Sequence, residues 1–171
     1  SELSLWNENS DENVKYFSGP ATYTAEFELP TDSGSVEIDL GEIYDLAEVA
    51  VNGKLAGICW TKPNQIDITG LVRPGKNRLE ITVVNRWVNR LIGDEFLPAE
   101  SQYQGVARFG SVTDGVLTEF PKWYADPSVP RQRSTFITWR HYDKTSPLVQ
   151  SGLAGPVSVR FLTDNNTMEK K

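Results

Sequence analysis

The run Ala47-Glu48-Val49-Ala50-Val51-Asn52-Gly53-Lys54-Leu55-Ala56 decides how this chain is read. Two short apolar runs flank the dipeptide Asn52-Gly53. Asparagine and glycine accept positive φ at both corners of a two-residue turn, so the run predicts a β-hairpin. Outward from it, alternation with a period of two recurs. Val36, Ile38 and Leu40 alternate with Glu37 and Asp39, and Leu79, Ile81 and Val83 alternate with Arg78, Glu80 and Thr82. Tyr23, Ala25, Phe27 and Leu29 alternate with Thr24, Glu26 and Glu28, and Val157, Val159 and Phe161 with Ser158 and Arg160. Successive strand residues point to opposite faces, so each run offers one face to a core and one to water, as in antiparallel sheets. Turn signals at Pro30-Thr31-Asp32-Ser33-Gly34 and Pro74-Gly75-Lys76-Asn77 separate the runs. Short strands at close intervals, with no long helical pattern competing, predict an all-β antiparallel β-sandwich.

The 171 residues suit one domain over 1–163, with a polar tail at 164–171 expected to fray. Apolar residues make up 39% and charged residues 23%, the balance of a folded globular chain. A net charge of −6 lacks the footprint needed to grip phosphate backbones, so nucleic acid is excluded as a partner, and an anionic membrane surface with it. No apolar run approaches the length of a membrane-spanning helix. The start at Ser1-Glu2-Leu3 reads as that of an excised or mature segment. Cys59 stands alone in an apolar stretch, so no intrachain disulfide forms and a small buried hydrophobe is the expectation. From Gly93 to Ser134 the alternation fails. Pro98, Pro121, Pro127 and Pro130 are scattered among Tyr103, Phe109, Phe120, Trp123 and Tyr124. A long irregular stretch rich in aromatics predicts a structured insertion near 93–134. Within 91–100 a helix of one or two turns fits, limited by Pro98.

Three stretches carry a family resemblance. The first is Gly19-Pro20-Ala21-Thr22-Tyr23-Thr24-Ala25-Glu26-Phe27-Glu28-Leu29-Pro30. The second runs from Ile38-Asp39-Leu40-Gly41-Glu42-Ile43 through the Asn52-Gly53 hairpin, Trp60, Ile66-Asp67-Ile68-Thr69 and Pro74-Gly75-Lys76-Asn77 to Val83-Val84-Asn85. The third is Ser151-Gly152-Leu153-Ala154-Gly155-Pro156-Val157. Together they resemble the sugar-binding-like jelly-roll domain of glycoside hydrolase family 2 enzymes, which has the galactose-binding-domain-like fold. The run Asn85-Arg86-Trp87-Val88-Asn89-Arg90-Leu91-Ile92-Gly93-Asp94 is similar to the C-terminal ancillary module of bacterial α-L-rhamnosidases of family 106. The resemblance implies that catalysis resides in a separate barrel domain and that this chain alone is not an enzyme. It implies two partners, a carbohydrate of the rhamnose-containing plant polysaccharide class and the parent's catalytic domain. It also implies a periplasmic or secreted location. A docked module should show an exposed apolar patch, with 93–134 as the candidate surface. The alternatives are an autonomous carbohydrate-binding protein and a small carboxylate-dependent enzyme.

Each chemistry has its candidate residues. Glycosidases need two carboxylates facing one bond, roughly 5 to 10 Å apart. Glu42, Asp45, Asp94 and Glu95 come nearest to a cluster among the 23 acids, and nothing in the spacing makes them converge. His141 is the only histidine, and no serine sits in a nucleophile elbow, so no catalytic residue is assigned. No second His or Cys stands at ligand spacing, so no transition-metal site is expected. Related modules carry a structural calcium. Asp11, Asn13, Asp39 and Asp164 are the candidates here, without a loop motif, and the expectation is no cofactor. Sugar binding needs an aromatic face and planar polar groups. Trp60, Trp87, Trp139 and Tyr142, with Asn64, Asn85 and Arg90, lie in loops or at strand ends and form the candidate carbohydrate site.

Overall fold

At Asn52 and Gly53, φ is +52° and +75° in the computed structural model, which describes residues 3–30, 34–108 and 111–162. These are the two left-handed corners of the expected hairpin, which joins β4 (Leu46–Val51) to β5 (Lys54–Cys59). Asn52 also ties the turn down. Its Nδ2 donates to the Leu71 carbonyl and to Asn77 Oδ1, at 2.9 Å each, and its Oδ1 accepts from the Arg78 amide. The expected tail at 164–171, the calcium candidate Asp164, Phe109 and the centre of the turn at Thr31, Asp32 and Ser33 lie outside the described residues.

The chain divides into two compact units. The first comprises the described residues of Ser1–Ser10, Gly19–Arg86 and Gln150–Lys171. Here β4 pairs on its other side with β7 (Gly75–Val84), and β7 with β1 (Pro20–Leu29), giving an antiparallel sheet ordered β1-β7-β4-β5. A second group holds β2 (Ser35–Asp39), β6 (Gln65–Asp67) and β11 (Ser158–Leu162), ordered β11-β2-β6, with β3 (Glu42–Tyr44) paired to β10 (Gly152–Gly155). The expected alternation decides the faces. Ala47, Val49 and Val51 of β4 and Leu79, Ile81 and Val83 of β7 are buried, as are Val36, Ile38, Leu40, Ile43, Ile68 and Leu153 of the second group and its connections. The fold is an all-β sandwich. Each fully buried aliphatic side chain contributes about 1.5–3 kcal/mol. β11 begins at Ser158, two residues beyond Pro156, which has no amide to give to the ladder. Backbones approach closely at Gly41, just before β3, where φ is +63° and an added Cβ would lie 2.5 Å from the carbonyl carbon of Gly155 on the paired strand β10.

The second unit comprises Asp11–Ser18 and Trp87–Val149. It contains α1 (Glu12–Lys15), α2 (Val88–Asp94), the antiparallel hairpin β8 (Gln102–Arg108) and β9 (Ser111–Glu119), and the short α3 (Lys122–Ala125). The helix α2 starts three residues before the expected 91–100 window and stops short of Glu95. The hairpin β8–β9 was not legible in the sequence. Its register shifts between Gln102 and Tyr103 and again between Gln104 and Gly105, and each irregularity breaks the alternation by which a strand is recognised.

Candidate functional site

The seven candidate carbohydrate-binding residues divide between the two units. In the first, Trp60 follows β5 directly and is 76% exposed. Asn64, four residues on, is buried; its Nδ2 donates to the Gly41 carbonyl at 2.8 Å, and its own carbonyl accepts from the Leu40 amide. Asn85, at the end of β7, is buried and accepts from the Gly19 amide at 3.0 Å. Both amide side chains thus serve their own backbone.

In the second unit, Trp87 precedes α2 and is 58% exposed. Arg90 and Asp94 lie one helical turn apart and pair at 2.8 Å. Trp139 makes an isolated bridge to Val116 and lies over Gly115, where an added Cβ would be 3.0 Å from the indole. The rings of Trp139, His141 and Tyr142 follow one another at 6.4 and 6.5 Å between centroids. Arg90 is thereby engaged in the helix, while Trp60 and Trp87 keep ring surface in water.

The acids weighed as a catalytic cluster have structural partners. Asp94 is almost fully buried. Its Oδ2 accepts from the Ser134 and Thr135 amides and from Thr135 Oγ1 at 2.7–2.9 Å. Glu95 pairs with Arg133 at 2.8 Å and with Arg140. Arg133 also donates to the Leu97 and Pro98 carbonyls. Glu100 completes the series: it accepts from the Gln132 amide, the Arg133 amide and Trp123 Nε1. Three acids within seven residues therefore clamp 132–135 to the end of α2 and the segment after it. In the first unit Glu42 pairs with Lys62 and Asp45 with Arg86.

A general acid needs a carboxyl held above its ordinary range. The resolved carboxyl shifts run downward. Asp39 is lowered by the Gln65 side chain and the Gly41 amide. Asp67, Asp126 and Asp143 are lowered by Thr69, Ser128 and Thr145. Burial pushes Glu100 up, but the hydrogen bonds from Gln132, Trp123 and Arg133 outweigh it and leave it below its ordinary value. Burial and the Asp39 charge push the Cys59 thiol up. Among the described residues no group of three or more His, Cys, Asp or Glu side chains is placed to hold a metal ion. Asp11 caps α1 through the Asn13 amide, and Asp39 is taken up by Gln65 and Gly41.

Three clefts were not foreseen from the sequence. In the first unit Leu3, Tyr23, Ala25, Leu79, Ile81, Leu153 and Val157 line an apolar hollow of about 300 Å³. In the second, Glu95, Ser101, Tyr103, Arg133 and Arg140 line a polar one of about 330 Å³. Also in the second, a cleft of about 570 Å³ is lined by Trp123, Tyr124, Pro127, Ser128, Val129, Pro130 and Arg131. None of the seven candidates lines these three clefts. The adjacent aromatics Trp123-Tyr124 followed by Pro127, Pro130 and Arg131 were the available signal for the last.

No family model matches the chain. It is 39% identical over 169 residues to a Formosa agariphila protein named for β-glucuronidase activity, covering 96% of this chain and 14% of that protein. Among solved structures it is similar to a rhamnosidase from Novosphingobium sp. PP1Y, with 36% identity and a TM-score of 0.66 over 90% of this chain and 12% of that one. A β-glucuronidase from Ruminococcus gnavus aligns at 21% identity and a TM-score of 0.42, over 47% of this chain and 15% of that one. The chain thus spans about one-seventh of the curated relative it matches.

Proposed function

We propose that this chain is a non-catalytic ancillary module of a larger rhamnosidase-type glycoside hydrolase and that it packs on its parent's catalytic domain. The observation that carries this reading is the alignment of 90% of the chain with 12% of a rhamnosidase at 36% identity. The carboxylates add support. Asp94, Glu95 and Glu100 hold the backbone and arginines of their own unit, and the resolved carboxyl shifts run opposite to what a general acid requires. In this reading the module needs no cofactor and works in the periplasm or outside the cell. The parent's substrate is a rhamnose-containing polysaccharide.

The first unit offers a surface for docking. The register of β4 against β5 shifts at Ala56, so Leu55 stands opposite Ala50 and Ile58 opposite Glu48, both on the outer side of the sheet. Leu55 is 60% exposed and Ile58 52%, and Trp60 extends the row on an edge strand. Exposed apolar rows of this kind mark interaction surfaces. In the second unit Phe96, Phe120 and Tyr124 are also exposed, within the stretch expected to provide the contact. A secondary role in weak sugar binding rests on the open rings of Trp60 and Trp87.

The test is to make the parent's catalytic part without this segment and mix it with this chain. A complex that restores the parent's melting temperature supports docking, and replacing Leu55 and Ile58 by serine should abolish it. No complex at micromolar concentration, with the catalytic part fully stable and active alone, would sink the docking role.

A further inference from the structure

The cleft at Trp123–Arg131 contains a cation with no carboxylate partner among the described residues. Arg78, Arg86, Arg90, Arg133, Arg140 and Arg160 each pair with a carboxylate. Arg131 is exposed, pairs with no carboxylate among the described residues, and holds its guanidinium over the Trp123 ring at 5.4 Å. A guanidinium over an indole is positioned while its hydrogen-bond donors stay available. The rest of the cleft is equally fixed. Trp123 Nε1 is committed to Glu100. Phe136 meets Phe120, Trp123 and Tyr124 edge-on at 5.0–5.8 Å, and Phe120 stacks on Tyr124. Asp126, which is exposed, accepts from the Ser128 amide and hydroxyl and fixes the loop. What remains open is Tyr124, 60% exposed, beside two prolines and an unpaired cation, in a space the size of a small-ligand site.

We infer that this cleft binds an acidic sugar, with the pyranose face against Tyr124 and its carboxylate on Arg131. The ring and proline walls match the apolar face of a pyranose, and the unpaired guanidinium matches a carboxylate by charge and by fork geometry. The choice of carbohydrate as the ligand class rests on the glycoside hydrolase reading; the choice of an acidic one rests on Arg131 alone.

The test uses the whole chain and two probes that differ only at C6, a β-1,4-linked tetraglucuronate and cellotetraose. Calorimetry should show saturable binding of the tetraglucuronate at millimolar concentration or below, at least about tenfold tighter than cellotetraose. Raising the salt should weaken it. Arg131→Gln should bring the acidic sugar down to the neutral one, and Tyr124→Ala should weaken both, with melting curves confirming that each variant folds. Equal affinity for the two sugars, an unchanged Arg131→Gln variant, or no binding of either at roughly 10 mM would overturn the inference. Tetraglutamate binding as tightly as tetraglucuronate would overturn it too, and assign the cleft to an acidic peptide. Failure here leaves the ancillary role standing, because the mixing experiment above tests that role separately.

Discussion

Asp94→Asn should destabilise the second unit by about 2–4 kcal/mol. One oxygen of the carboxylate accepts three hydrogen bonds from Ser134 and Thr135, and the other faces Arg90 at 2.8 Å. Oδ2 takes the hydrogen bonds and Oδ1 carries the charge that faces the guanidinium. An asparagine has one accepting oxygen, so its NH₂ group faces either the amides of 134–135 or the guanidinium, donor against donor. Hydrogen bonds to a charged group contribute about 1.5–3 kcal/mol, and stranding a buried cation costs about 3–5 kcal/mol. The Arg90 side chain is 22% exposed, which lowers the second figure. Urea unfolding reads the loss: at about 2 kcal/mol per molar urea, the midpoint should fall by roughly 1–2 M. If the two units unfold separately, only the transition of the second should move. Adding Arg90→Met should recover part of the loss, giving a coupling above about 0.5 kcal/mol. A variant within about 0.5 kcal/mol of the unmodified chain would refute the structural role of this carboxylate.

Three further outcomes are expected. The folded-state pKa of Glu100 lies below its ordinary value of 4.5, so its stabilisation is present above that pH and is lost as pH falls through the folded value. Glu100→Gln should therefore lower the melting temperature at pH 7 and flatten its acid decline, and superimposable curves would contradict this. Gly41→Ala, which forces a Cβ to 2.5 Å from the Gly155 backbone at a φ of +63°, should cost about 3 kcal/mol or more in thermal unfolding. Cys59 is buried with a raised thiol pKa, so a thiol reagent at neutral pH should label it only after unfolding; rapid native labelling would contradict its burial.

The sandwich was legible because its signals are local. Positive φ at Asn52 and Gly53 follows from residue type, and the buried rows at 36–40, 47–51 and 79–83 follow from alternation. The β8–β9 hairpin was hidden because two register irregularities erase that alternation. The candidate site was harder for a different reason. Asn64 and Asn85 stand at strand ends, where an amide side chain can serve a ligand or its own backbone, and residue type does not distinguish the two. Trp6 is buried while Trp60 is open, although each is a tryptophan in a loop-rich context. The capture of Asp94, Glu95 and Glu100 depends on partners 23 to 45 residues away, which spacing does not reveal.

The proposed reading places the catalytic carboxylates in the parent's other part. It is tested most directly by incubating the purified chain with a panel of nitrophenyl glycosides that includes α-L-rhamnoside and β-D-glucuronide, and following nitrophenol release. The account predicts release no faster than in buffer for every member of the panel. Release that saturates with substrate and disappears in Asp94→Asn or Glu95→Gln, with the fold intact, would contradict it.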